Sequence, residues 1–68
     1  MNLTDKVEFI VEREPGLTAW EVACSLSTAP HRVTGSVSSI LHRMVKRGVM
    51  RRRKDKSGTW TYFLEGKA

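Results

Sequence analysis

The chain predicts an α+β domain, three helices followed by a C-terminal two-stranded β-hairpin, and three observations carry that prediction. Apolar residues recur at helical spacing through three successive segments. Pro15-Gly16, Ser27-Thr28 and Gly48 punctuate those segments. After Gly48 the pattern changes to two short extended runs around a polar turn that contains Gly58. At 68 residues the chain makes one domain, residues 1–68, near the lower size at which a hydrophobic core alone holds a fold.

Helix one begins near residues 2–4, because Leu3, Val7, Ile10 and Val11 fall on one helical face. It ends before Pro15-Gly16, where proline restricts the residue ahead of it and glycine suits a helix exit. Helix two opens on a capping box. The Thr18 hydroxyl is placed to accept from the Glu21 amide, and the Glu21 carboxylate to accept from the Thr18 amide. Val22, Ala23 and Leu26 are its apolar positions, and Ser27-Thr28 ends it while offering an N-cap to the next helix. Helix three spans residues 29–47, with Pro30 in its first turn, where the missing amide hydrogen costs nothing, and Gly48 closing it. Val33, Val37, Ile40, Leu41, Met44 and Val45 form its buried stripe. A break at Val33-Thr34, with Thr34 as a new cap, is the alternative to one continuous helix; the stripe keeps its phase across residues 33–45, which favours continuity. Residues 49–53 and 59–64 then read as two strands joined by 54–58. Alternation puts Trp60, Tyr62 and Leu64 on one side, against the helices, and puts Arg51 and Arg53 on a shared face of the first strand.

Charge is unevenly spread along this frame. From Val22 to Lys54 there are 33 residues with no Asp or Glu, and eight of the 12 Lys and Arg residues fall in that window. Residues 1–21 carry two basic groups against five acidic ones, and residues 22–68 carry ten against two, so a net charge of +5 conceals an electrical dipole. A folded basic pole of this kind suits a polyanion, because it places cations on a rigid scaffold and steers the ligand to one face. The outer face of helix three collects His31, Arg32, Gly35, Ser38, Ser39, His42, Arg43 and Lys46. None is acidic, and none is large and apolar. Such a face suits a major groove, with short side chains near base edges and long ones reaching phosphates. A glycine inside a helix costs about 1 kcal/mol relative to alanine; at position 35 it lets the backbone approach DNA closely.

Other classes find less support. No apolar run reaches the length of a membrane span, and Asp5, Glu8, Glu12 and Glu14 argue against a signal or transit peptide, so the expected location is cytoplasmic, nucleoid-associated in a bacterial cell. Cys24 has no cysteine partner and reads as a small helix-two side chain. His31 and His42 share a helical face three turns apart, about 16 Å, too far to hold one metal ion. Neither a metal nor a cofactor is expected. No glycine-rich phosphate loop or carboxylate pair suggests catalysis, so the chain does not read as an enzyme. Trp20 and Trp60 read as core or hairpin packing, since a single-strand binder shows several exposed aromatics along a groove.

The succession Leu17-Thr18-Ala19-Trp20-Glu21-Val22-Ala23, Leu26-Ser27-Thr28 and Val37-Ser38-Ser39-Ile40-Leu41-His42-Arg43-Met44-Val45-Lys46-Arg47-Gly48-Val49, ahead of a basic hairpin, resembles a winged helix-turn-helix domain across residues 3–64. That resemblance implies that helix three enters the DNA major groove and that the hairpin, the wing, lies on the backbone or in the minor groove. By position it implies DNA contact from His31, Arg32, Gly35, Ser36, Ser38, Ser39, His42 and Arg43, with Lys46 on the same face, and wing contact from Arg51, Arg52, Arg53, Lys54 and Lys56. The stretch from Ala23 to Gly48 is about one turn longer than is common in the family, either in helix three or in the connection before it. The segment from Thr18 to Thr28 is also similar to Z-DNA-binding winged-helix domains. Ser38 and His42, however, stand where that family has its recognition asparagine and tyrosine, and the wing lacks the family's proline pair.

The resemblance implies a sequence-specific binder of double-stranded DNA, a transcriptional regulator of bacterial, phage or plasmid type. Two other readings stand beside it: a winged-helix module that docks on a protein partner through the acidic first helix, and an RNA-binding winged helix. The expected assembly is a monomer or a weak homodimer through helix one or the wing.

Overall fold

A computed structural model describes residues 2–65. Three helices, α1 (Leu3–Arg13), α2 (Ala19–Leu26) and α3 (Pro30–Lys46), pack with three strands, β1 (Leu17–Thr18), β2 (Met50–Lys54) and β3 (Trp60–Leu64), in an α+β arrangement. Several helix ends follow from local signals. Asn2 caps α1, its side-chain oxygen accepting from the Asp5 amide at 2.8 Å. The Thr18–Glu21 capping box of α2 is present in both directions, at 3.2 Å and 2.9 Å. At the end of α3, Gly48 adopts φ +80°, its amide donates to the Val45 carbonyl and the Val49 amide donates to that of Met44. This pair of bonds is a Schellman closure, and the left-handed residue it needs is the glycine.

α3 is continuous through Gly35, so Thr34 is not a cap; its hydroxyl instead donates to the Pro30 carbonyl at 2.6 Å. That continuity is as expected, whereas the entry to α3 differs from expectation. Ser27 caps the end of α2 and its hydroxyl accepts from the Ala29 amide, while the N-cap of α3 is Ala29, without a side-chain bond. Only residues 27–29 separate α2 from α3, so the stretch from Ala23 to Gly48 is taken up mainly by α3 and not by the connection before it.

The sheet is antiparallel with order β1-β3-β2, three strands where two were expected. Leu17 and Thr18 pair with Tyr62 and Thr61, and the Gly16 amide extends the ladder by donating to the Tyr62 carbonyl at 2.8 Å. Gly16 has φ +91° and lies under the Phe63 ring, where a Cβ would be 3.5 Å from the ring edge. A two-residue strand has no alternation to reveal it in sequence.

One core unites the elements. Val7 and Val11 of α1, Val22 and Ala23 of α2, Val37, Ile40, Leu41 and Met44 of α3, Met50 of β2, and Tyr62 and Leu64 of β3 are buried together. Val33 and Val45, at the ends of the α3 stripe, are partly buried against it. Among the described residues no polar or charged residue is buried, so burial of apolar surface is the principal stabilising term. Trp20 departs from its expected place in the packing, being 51% exposed, whereas Trp60, 37% exposed and outside the core, packs within the hairpin against Arg52 and Lys54. No helix among the described residues is long and apolar enough to cross a membrane.

Candidate nucleic-acid interface

α3 turns its Val37–Ile40–Leu41–Met44 stripe inward, and the remainder of its circumference is therefore fixed. His31, Arg32, Gly35, Ser36, Ser38, Ser39, His42, Arg43 and Lys46 are all exposed, and the helix contains no carboxylate. At about 100° per residue, Gly35, Ser39, His42 and Lys46 fall nearest the line opposite the buried stripe. Arg32 and Ser36 flank that line near the N-terminus. Arg43 flanks it near the C-terminus, where it borders an open groove with Arg47, Ile40, Met44 and Thr4 of α1. Nothing inside the chain requires Gly35 to lack a side chain, since a Cβ built there meets no atom within 4 Å. Gly35→Ala is accordingly expected to raise the free energy of unfolding by about 0.5–1 kcal/mol. Urea denaturation checks this, and an unchanged or lowered stability would show that the fold itself needs this glycine.

The hairpin exposes every residue from 51 to 60, but its strands split the basic run between two faces. The register pairs Met50 with Leu64, Arg51 with Phe63, Arg52 with Tyr62, Arg53 with Thr61 and Lys54 with Trp60. Directly opposed residues share a face, so Arg52 and Lys54 stand on the side of Met50, Tyr62 and Leu64, which is the side that meets the helices. There they converge on the Trp60 indole, the Arg52 guanidinium 4.2 Å and the Lys54 ammonium 5.1 Å from the ring centroid. Arg51 and Arg53 occupy the other side. Arg51 lies 3.5 Å from the Glu65 carboxylate, and the Arg53 carbonyl accepts from the Thr61 hydroxyl.

The tip is ordered by its own carboxylate. The Asp55 amide donates to the Thr59 carbonyl, the Gly58 amide donates to the Asp55 carbonyl, and Gly58 has φ +86°. This is a type I turn followed by a glycine bulge. One Asp55 carboxylate oxygen accepts from the Ser57 hydroxyl at 2.7 Å, the Ser57 amide at 2.9 Å and the Thr59 amide at 3.0 Å. Those bonds, that of the Ser57 hydroxyl foremost, hold the Asp55 carboxyl below its ordinary value of 3.8. The carboxylate is thus ionised at neutral pH and directed at the turn, while Lys56 projects from the tip, exposed.

All fourteen residues expected at the interface are exposed, on two elements: nine along α3 and five on the hairpin. Trp60 is the residue that sequence reasoning left out of this set. Its signal was the alternation of strand residues, which meets Lys54 and Arg52 only once the pairing of the two strands is known. Among the described residues no group of three or more His, Cys, Asp or Glu side chains is placed to hold a metal ion. Compared with protein-family models, with curated proteins and with solved structures, the chain matches none.

Proposed function

We propose that the chain is a winged helix-turn-helix protein that binds double-stranded DNA with sequence preference, a transcriptional regulator of bacterial, phage or plasmid type that works in the cytoplasm. In this reading α3 is the recognition helix in the major groove, and the β2–β3 hairpin is the wing on the backbone. The observation that carries the reading is the outer face of α3: exposed throughout, free of carboxylates, small or polar at its centre, and holding at Gly35 a glycine that the fold does not require. Small residues there allow close approach to base edges, and Arg32, Arg43 and Lys46 beside them are long enough to reach bases or phosphates. Neither metal nor cofactor enters this reading, and no reaction is assigned.

A second reading is favoured by one feature of α1. Phe9 is 47% exposed, next to a groove lined by Ile10, Arg13, Glu14 and Ser25, on the acidic part of the molecule. This surface suits a protein partner or a weak homodimer. Repeated selection from a pool of randomised DNA duplexes separates the readings. The DNA reading expects enrichment of one related set of sequences; a pool that stays random through successive rounds overturns sequence-specific recognition and favours the docking module.

A further inference from the structure

We infer that the wing is one-sided: the face carrying Arg52, Lys54 and Trp60 meets the DNA backbone, Trp60 acts as a positioning residue for the two cations, and Arg51 takes no part in phosphate contact. This rests on the DNA-binding reading and goes beyond it, since the resemblance treats the basic run of the wing as a whole.

Direction is the first ground. β2 and β3 contribute Met50, Tyr62 and Leu64 to the core shared with Val37, Ile40, Leu41 and Met44 of α3. The sheet therefore lies on the buried side of α3, and the sheet face that looks toward the helices looks the same way as the outer face of α3. Arg52, Lys54 and Trp60 continue that face beyond Tyr62 toward the hairpin tip, where they are exposed. A duplex seated on α3 meets this side of the wing. Arg51 and Arg53 look the opposite way.

Charge is the second ground. The Arg52–Lys54 face carries two cations and no carboxylate, whereas on the other face Glu65 lies against Arg51. The two kinds of contact also leave different capacities. A guanidinium stacked on an indole uses its flat face and keeps its five in-plane N–H donors for a phosphate. A guanidinium beside a carboxylate, as Arg51 is beside Glu65, already has part of its charge answered within the chain. Stacking also restricts the rotamers of Arg52 before a ligand arrives, which lowers the ordering cost of binding. Arg52 and Lys54 both approach the indole, and in this inference Trp60 serves the cations.

Titration of a random-sequence duplex of about 20 base pairs with the wild-type chain and with Arg52→Ala, Arg51→Ala, Trp60→Phe and Trp60→Leu, each across a range of salt, tests the inference. Arg52→Ala is expected to reduce the slope of log affinity against log salt by about one, and Arg51→Ala to leave it unchanged. Trp60→Leu is expected to weaken binding about two- to fivefold, the factor to which an exposed cation–π contact corresponds, and Trp60→Phe to restore most of it because a ring remains. Arg52 is exposed and outside the core, so its substitution reports on binding even where a Trp60 variant melts the hairpin. Equal slopes for Arg51→Ala and Arg52→Ala, or undiminished binding by a folded Trp60→Leu, overturn the one-sided wing while leaving DNA binding intact. Failure of the wild-type chain to bind the duplex at all removes both.

Discussion

Binding to duplex DNA should weaken about a thousandfold between roughly 50 and 200 mM salt, because about six cations displace condensed counterions from phosphates. The six are identifiable. Arg43 and Lys46 stand on α3 and Arg47 at its end, Arg52 and Lys54 stand on the sheet face that looks the same way, and Lys56 stands at the hairpin tip, while Arg32 is left to the bases. Arg51 is held beside Glu65 and is not counted. Each phosphate contact contributes about −0.9 to the slope of log affinity against log salt, so six give a slope near −5. Fluorescence anisotropy of a labelled duplex at four or five salt concentrations measures it. A flat response would mean that the basic pole only solvates the surface, and would move the function to the α1 surface around Phe9.

Much of the fold was legible because its signals are local. The Thr18–Glu21 box, Pro30 in the first turn of α3 and the glycine closure at Gly48 each concern residues within a few positions of one another, and each formed as its spacing implied. The α3 stripe was equally plain, since four buried residues at helical spacing leave little choice of face. What escaped depends on distant partners. β1 is two residues long and exists because Leu17 and Thr18 reach the free edge of β3, more than forty residues away in sequence. Trp20 was assigned to packing on account of its size, but it falls on the exposed side of a short helix whose buried positions, Val22 and Ala23, lie elsewhere. The division of the basic run into two faces required the register of β2 against β3, which no pattern within β2 discloses.

The candidate interface was legible to a similar degree and for the same reason. Exposure of the α3 residues follows from the stripe alone, and it held at every position from His31 to Lys46 that had been singled out. The roles of Glu65 and Trp60 did not follow, because each meets its arginine across the hairpin. Gly35 shows how the two kinds of information combine. Sequence marks it as costly within a helix, and the structure shows that no neighbour claims the space a side chain would fill.

The most direct test of the account is a base-by-base competition titration of a selected duplex with the Arg32→Ala and Arg43→Ala variants. Arg32 lies in the first turn of α3, the end that reads base edges when a recognition helix enters the major groove, and Arg43 lies on the flank near α1. Arg32→Ala is expected to relax preference at one position of the site, by about 1–3 kcal/mol if the guanidinium spans the two acceptors of a guanine. Arg43→Ala should weaken binding to all sequences alike, as loss of a phosphate contact does. An unchanged preference profile for Arg32→Ala together with an altered one for Arg43→Ala would contradict the account, for it would mean that α3 presents its other end to the bases.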